Sequence, residues 1–150
     1  MTKIGVLGAG IMGNGIVQVS AMAGYDVVMI DIDEKFINRG MQDIERSLNR
    51  MLKKGKIKQA DFDQIVGKVQ TSLVFEDLKD CDLVIEAIPE IIELKKQTFT
   101  KLDSLCKKEC IIASNTSAIS ITDLASSVSE ERRKKFIGLH FFNPVPMMKL

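Results

Sequence analysis

The chain has 150 residues, a formal net charge of +1 and 45% hydrophobic residues, which suits one ordinary domain with a real core. The near balance of charges predicts no general attraction to nucleic acid or to an anionic membrane, and we expect neither a membrane span nor a signal peptide. Three cysteines predict reduced thiols in a cytoplasmic protein, and with a single histidine the sequence predicts no metal site.

A strand, a glycine-rich turn and a helix open the chain. The strand is predicted over Lys3–Leu7 and the helix from Ile11 to about Ala23, where Gly24 is a stop signal. The apolar residues expected to face the sheet from this helix are Met12, Ile16, Val19 and Met22. A second strand over Asp26–Ile30 ends on Asp31, and its continuous apolar run is typical of a buried parallel strand.

The turn between the first strand and the first helix has the glycine spacing of a dinucleotide-binding loop. Gly8 permits a tight turn, Gly10 lets a pyrophosphate approach the backbone, and Gly13 lets helix and strand pack closely. The free N–H groups at the helix start favour phosphate binding. Asp31 is expected to accept hydrogen bonds from a ribose diol and to repel a 2′-phosphate, which favours NAD over NADP. The alternative is an ordinary strand–helix turn that needs glycine for steric reasons alone.

A long amphipathic stretch predicts a helix from Asp33, its N-cap, to about Lys54. Its apolar seam comprises Ile37, Met41, Ile44, Leu48 and Met51. A second helix from about Gln59 to Val66 completes a helical hairpin, over about residues 33–67, that is expected to project from the sheet. The basic cluster at the end of the first of these helices comprises Arg50, Lys53, Lys54, Lys56 and Lys58. Two interpretations stay open: a solvated helix end, or a polyphosphate-binding surface with Ser47 and Lys54 on one face.

The rest of the chain alternates strands and helices. Strands are predicted over 69–73, 82–86, 110–113 and about 136–141, a helix over about 90–105, and a charged loop over 129–135. Ser120 and Asp123 resemble a capping box for a short helix. The residues expected to face inward from the helix over 90–105 are Ile91, Leu94, Leu102 and Leu105, whereas Glu90 and Lys95 are by default surface charges. The alternation predicts an α/β, doubly wound, mostly parallel sheet of the Rossmann type, with strand order 3-2-1-4-5-6.

Two polar stretches follow the last two strands. Ser114-Asn115-Thr116-Ser117 comes after the fifth strand, and His140 lies near the end of the sixth, before Phe141-Phe142-Asn143-Pro144. Taken alone, Ser117 is typical of a turn residue whose hydroxyl satisfies backbone groups, and a lone histidine at a strand end is more often a packing residue.

Taken together, four stretches resemble the amino-terminal, NAD-binding half of the 3-hydroxyacyl-CoA dehydrogenases. They are Gly8–Gly13, Asp82–Ala87, Ala113–Ser117 and His140–Pro144. The resemblance implies an NAD-dependent oxidoreductase that interconverts (3S)-3-hydroxyacyl-CoA, such as 3-hydroxybutyryl-CoA, and 3-oxoacyl-CoA by hydride transfer. The glycine motif is shared with many dehydrogenases, so the last two stretches carry most of the specificity.

The resemblance also implies residue roles. His140 is the implied general acid and base, because imidazole exchanges protons near neutral pH, and Ser117 is implied to hydrogen-bond the substrate oxygen. The implied NAD contacts are Gly8, Gly10, Ile11, Met12, Gly13, Asp31, Glu90, Lys95, Ser117 and Asn143, with Asn143 near the nicotinamide end. The implied coenzyme A contacts are Ser47, Lys54 and Ser117, which favours the polyphosphate interpretation of the basic cluster.

Two parts of the family's pattern lie beyond Leu150. One is a glutamate that orients the histidine, and the other is a helical domain that closes over the substrate and forms the oligomer. We therefore expect the chain to be the cofactor half of a longer homo-oligomeric enzyme and to be inactive alone. The alternative hypothesis is an NAD- or coenzyme A-binding module or sensor without catalysis.

Overall fold

The computed structural model describes residues 3–150. Six parallel strands form one sheet in the order β3-β2-β1-β4-β5-β6, which confirms the predicted doubly wound fold. The strands are β1 (Lys3–Leu7), β2 (Asp26–Ile30), β3 (Val69–Ser72), β4 (Leu83–Glu86), β5 (Ile111–Ser114) and β6 (Phe136–Gly138). Most observed strand and helix boundaries lie within two residues of the predicted ones.

Helices cover both faces of the sheet. They are α1 (Ile11–Met22), α2 (Glu34–Lys53), α3 (Gln59–Gly67), α4 (Ile92–Leu105), α5 (Ile121–Ala125) and α6 (Glu130–Arg133), with 3-10 turns at Phe75–Leu78 and Val145–Met147. Alternate residues of β2 belong to two separate hydrophobic cores, because successive side chains of a strand point to opposite faces of the sheet. Val27 and Met29 pack with α1, α2 and α3, whereas Val28 and Ile30 pack with α4. Among residues 3–150, no helix combines the length and apolarity needed to cross a bilayer.

The amphipathic stretch after β2 forms the predicted pair of helices. Asp33 caps α2 by accepting a hydrogen bond from the Lys35 N–H at 2.9 Å. The seam residues Ile37, Ile44 and Leu48 are buried, and Met41 and Met51 are half-buried against the same core. A turn at Gly55, with φ of 67°, leads to α3, which contacts both α2 and α1.

One face of α4 differs from the prediction. Ile91, just before the helix, and Leu94 are 57% and 39% exposed rather than facing inward. The buried residues of α4 are Lys95, Phe99 and Leu102. Lys95 turns inward because its ammonium group reaches the buried carboxylate of Glu86 at the end of β4, so the prediction of a surface charge is wrong for Lys95.

The segment predicted as a charged loop contains a short helix. Ser129 caps α6 by accepting a hydrogen bond from the Arg132 N–H at 3.4 Å. Arg132 is buried, and its guanidinium donates to the carbonyl oxygens of Cys106 and Cys110 at 3.0 and 2.6 Å. The loop prediction is therefore wrong, because a buried arginine anchors this segment.

Two further expectations need correction. Met22, expected to face the sheet, is 37% exposed because it closes α1 one residue before the Ala23–Gly24 turn. The last strand, predicted to reach Phe141, ends at Gly138. The N–H of Phe141 donates to the side chain of Asn115 instead of continuing the strand ladder.

Candidate functional site

The turn between β1 and α1 has the geometry that its glycines predict. Gly8 adopts φ of 99°, and a Cβ atom there would lie 2.5 Å from the carbonyl oxygen of Ala87. A Cβ atom on Gly13 would overlap the carbonyl group of Gly8, whereas one on Gly10 would meet nothing within 4 Å. No side chain caps α1 at Gly10, so the first N–H groups of the helix face an open space.

Asp31 closes this turn from the neighbouring strand. Its Oδ2 atom accepts a hydrogen bond from the N–H of Ala9 at 2.7 Å, and its Oδ1 atom accepts one from the N–H of Ile32 at 2.7 Å. The carboxylate therefore lies directly against the glycine turn at the carboxyl end of β2.

Glu86 ends β4 with a fully buried carboxylate. Its Oε1 atom accepts from the Lys95 ammonium at 2.5 Å and from the N–H of Ile88 at 2.8 Å. Its Oε2 atom accepts from the Ser114 hydroxyl, at the end of β5, at 2.7 Å. These contacts link the ends of two adjacent strands to α4.

Glu90 continues this network toward the surface. It accepts from the Thr116 hydroxyl at 2.8 Å and from the N–H of Ser117 at 2.9 Å, and its Oε2 atom lies 3.1 Å from the Lys95 ammonium. Burial raises the pKa of Glu90, but these three partners outweigh it and hold the pKa below its usual range. α4 begins at Ile92, two residues later than predicted.

A cavity of about 140 Å³ lies between the ends of β4 and β5, and we call it the β4–β5 cavity. Its lining residues are Met12, Ala87, Ile88, Glu90, Lys95, Asn115 and Ser117. Four of them were assigned to the cofactor or substrate from the sequence: Met12, Glu90, Lys95 and Ser117. The fold therefore brings together residues from α1, from the turn and helix after β4, and from the turn after β5.

His140 lies at the same edge of the sheet, between two anchored neighbours. The N–H of Leu139 donates to the carbonyl oxygen of Ser114 at 2.9 Å, and the N–H of Phe141 donates to the Asn115 side chain at 2.8 Å. The imidazole is exposed and packs edge-on against the ring of Phe142, with centroids 4.7 Å apart. It makes no hydrogen bond to another residue of the range 3–150.

A second cavity, of about 180 Å³, lies between α1, α2 and residues 143–146, and we call it the α1–α2 cavity. Three predicted site residues line it, namely Ile11, Ser47 and Asn143. Asn143, expected near the nicotinamide end, thus shares a cavity with Ser47 rather than with Ser117. Arg50 adds positive charge to its rim, whereas Arg46 there pairs with Asp43 at 3.0 Å. Lys54 is exposed at the end of α2 and lines neither cavity.

Three polar residues at this edge received no role from the sequence: Glu86, Asn115 and Thr116. Glu86 carried one usable signal, because a charged residue that closes a fully apolar strand has to find a partner. Asn115 and Thr116 sit in a polar turn where any residue can satisfy backbone groups, so only the structure separates their contacts.

Comparison with known proteins agrees with this geometry. The model of the family "3-hydroxyacyl-CoA dehydrogenase, NAD binding domain" matches residues 3–150. The chain is 45% identical over 148 residues to a 3-hydroxybutyryl-CoA dehydrogenase of Clostridioides difficile, which covers 99% of this chain and 52% of that protein. The crystal structure of (S)-3-hydroxybutyryl-CoA dehydrogenase from Ralstonia eutropha superposes with a TM-score of 0.95 at 44% identity, over 100% of this chain and 52% of that one.

More distant relatives share the same domain. The glyoxysomal fatty acid beta-oxidation multifunctional protein MFP-a of Brassica napus is 35% identical over 150 residues, which make up 20% of its length. The chain spans about half the length of the bacterial relatives above. Because the family model matches almost every residue of it, the chain belongs to the 3-hydroxyacyl-CoA dehydrogenase family and carries that family's NAD-binding domain.

Proposed function

We propose that this chain is the cofactor-binding part of a dehydrogenase that interconverts short-chain (3S)-3-hydroxyacyl-CoA, such as 3-hydroxybutyryl-CoA, and 3-oxoacyl-CoA. One observation carries the proposal. Ser117 lines a cavity beside the glycine turn, and Asn115 of the same cavity holds the backbone that bears His140. A hydroxyl group and a solvent-facing imidazole at the edge of an NAD-binding sheet suit proton transfer to and from a substrate oxygen.

The glycine turn suits the diphosphate of NAD. The open space at Gly10 admits a phosphate to the backbone, and the uncapped N–H groups of α1 would bind it. Asp31 lies against the glycine turn, so it would accept hydrogen bonds from ribose hydroxyls and would disfavour a 2′-phosphate. NAD supplies the hydride acceptor when it is bound, and the remaining chemistry belongs to the residues of the chain.

The substrate end of the site relies on two side chains. His140 would take the proton of the 3-hydroxyl group during oxidation and return it to the ketone oxygen during reduction. Ser117 would donate a hydrogen bond to the same oxygen and so fix its position. The coenzyme A portion would lie along α2, where Ser47 lines the α1–α2 cavity and Lys54 adds positive charge at the helix end.

A binding module without catalysis is the second candidate. The observation in its favour is that no carboxylate within residues 3–150 accepts a hydrogen bond from His140. An imidazole without such a carboxylate has no fixed tautomer. Removing the carboxylate partner of a catalytic histidine can cost orders of magnitude in rate.

The two candidates are separated by measuring NADH oxidation with acetoacetyl-CoA in the protein expressed from its complete reading frame. We expect His140→Gln to lower kcat by about 100-fold or more, because the proton donor is lost. The Kd for NADH, followed by nucleotide fluorescence, serves as the control and should change by less than about twofold, since His140 is not assigned to the cofactor. Unchanged turnover in the variant rejects the role of His140, and a wild-type protein that binds NADH but turns nothing over supports the binding module.

A further inference from the structure

Three ionisable side chains form a continuous path from the core to the β4–β5 cavity, and we call them the Glu86–Lys95–Glu90 trio. The Lys95 ammonium lies 2.5 Å from Glu86 and 3.1 Å from Glu90. Glu86 and Lys95 are almost completely buried, with relative exposures of 0% and 1%. The side chain of Glu90 is 41% exposed and lines the cavity.

The charges of the trio do not balance. Two carboxylates share one ammonium group, and their other hydrogen-bond partners are neutral: the hydroxyls of Ser114 and Thr116 and the N–H groups of Ile88 and Ser117. Lys95 lies nearer to Glu86, which has no access to water, so the buried pair is largely self-compensated. One negative charge therefore remains on Glu90, at the wall of the cavity.

We propose that the Glu86–Lys95–Glu90 trio sets the relative affinity of the site for oxidised and reduced cofactor. The inference rests on the proposed function and places the nicotinamide end of the cofactor in the β4–β5 cavity, because four residues assigned to NAD from the sequence line it: Met12, Glu90, Lys95 and Ser117. The nicotinamide ring carries a positive charge in NAD⁺ and none in NADH, so a net negative wall favours the oxidised form. Glu86 is fully buried, so it acts as a positioning residue and not through contact with cofactor or substrate. Its ion pair with Lys95 neutralises the ammonium group, and the charge of Glu90 therefore remains uncompensated.

The size of the effect follows from Coulomb's law. At an effective dielectric constant of about 40, between the values for protein and water, one unit charge within roughly 8 Å changes a binding ratio by about fivefold. A defect that merely loosens the fold weakens the binding of both cofactor forms together. The ratio of the two dissociation constants is therefore the diagnostic quantity.

The test uses Glu86→Gln in the protein expressed from its complete reading frame, with Kd for NAD⁺ and for NADH measured by calorimetry. The amide keeps the shape of Glu86 but removes its charge, so Lys95 then neutralises Glu90. We expect the ratio of Kd for NAD⁺ to Kd for NADH to rise about fivefold. Ser114→Ala is the matched control, since it removes a hydrogen bond from the same carboxylate without changing the charge. It should leave the ratio unchanged.

Glu90→Gln keeps the test valid if Glu86→Gln does not fold, because Glu90 is partly exposed and its loss also makes the trio neutral. We expect the ratio to shift in the same direction. If both forms bind and neither variant moves the ratio, or if Ser114→Ala moves it equally, this inference is overturned while the proposed function stands. If the wild-type protein binds neither NAD⁺ nor NADH, both are overturned together.

Discussion

In the turn between β1 and α1, Gly10 and Gly13 lack a side chain for two different reasons. A Cβ atom on Gly13 would overlap the carbonyl group of Gly8, because α1 packs directly on the end of β1. A Cβ atom on Gly10 would contact no atom of the protein and would project into open space. Gly13 is therefore needed by the fold, whereas Gly10 matters only if a ligand occupies that space.

Alanine substitutions at these two glycines should separate stability from binding. We expect Gly13→Ala to lower the free energy of unfolding by about 3 kcal/mol, because backbone atoms have to move. Gly10→Ala should change it by less than about 1 kcal/mol, since the N-cap position has ordinary φ and ψ, yet weaken NADH binding by about tenfold or more. Urea unfolding and fluorescence titration check the two effects. Normal NADH affinity in Gly10→Ala would place the diphosphate elsewhere.

The roles of Gly8 and Gly13 could be predicted from the sequence, because their spacing alone fixes how the backbone turns. Lys95 could not be predicted in the same way. Helical periodicity treats a lysine as a solvent-facing residue, and its burial depends on a carboxylate nine positions earlier that ends a different element. Only the sheet order, which sets β4 between β1 and β5, places Glu86 under α4.

At the scale of elements, α6 shows how a very short helix is kept in place. Four residues are too few for an isolated helix, so its stability comes from outside the segment. The guanidinium of Arg132 donates to the carbonyl oxygens of Cys106 and Cys110 after α4, and it pairs with Asp103 on α4 at 3.0 Å. A run of glutamate and arginine residues looks like a solvated loop in the sequence, because nothing local reveals these partners.

Removing this anchor should destabilise the whole domain. We expect Arg132→Met to lower the free energy of unfolding by about 3 kcal/mol, because it leaves buried carbonyl groups without their donor and Asp103 without its cationic partner. Arg132→Lys keeps the charge but not the forked geometry, and it should recover only part of the loss. Chemical unfolding of the three proteins checks the order of stabilities. Equal stability of Arg132→Met and the wild type would contradict the role of Arg132 as the anchor of α6.

The ion pair between Asp103 and Arg132 predicts that the free energy of unfolding depends on pH. Burial raises the pKa of Asp103, but the N–H of Ser129 and the Arg132 guanidinium outweigh it and hold the pKa below its ordinary value of 3.8. A lowered pKa means that the stabilisation is present above the ordinary value and is lost as pH falls through the lowered one. Stability should therefore fall less steeply below about pH 4 in Arg132→Met than in the wild type.

At the scale of the whole molecule, distant parts of the chain meet at the α1–α2 cavity. The turn that contains Val145 packs against Gly15 of α1, where a Cβ atom would lie only 2.8 Å from the Val145 side chain. Alternation of strands and helices was enough to predict the sheet order. The cavity could not be predicted, because it depends on contacts between residues 130 positions apart that no local pattern encodes.

The long α2 helix places charged residues on the rim of this cavity, and its basic end is the part of the chain assigned to coenzyme A. Lys54→Glu reverses a charge at the exposed end of α2, and we expect it to raise the Kd for coenzyme A by about fivefold at low ionic strength. The effect should shrink as salt is added, because exposed charges are screened. Lys101→Glu makes the same change on α4, across the sheet, and should leave the Kd unaltered. Calorimetric titration of all three proteins decides the matter. One affinity for all three would favour a dehydrogenase whose hydroxyacid substrate carries no coenzyme A.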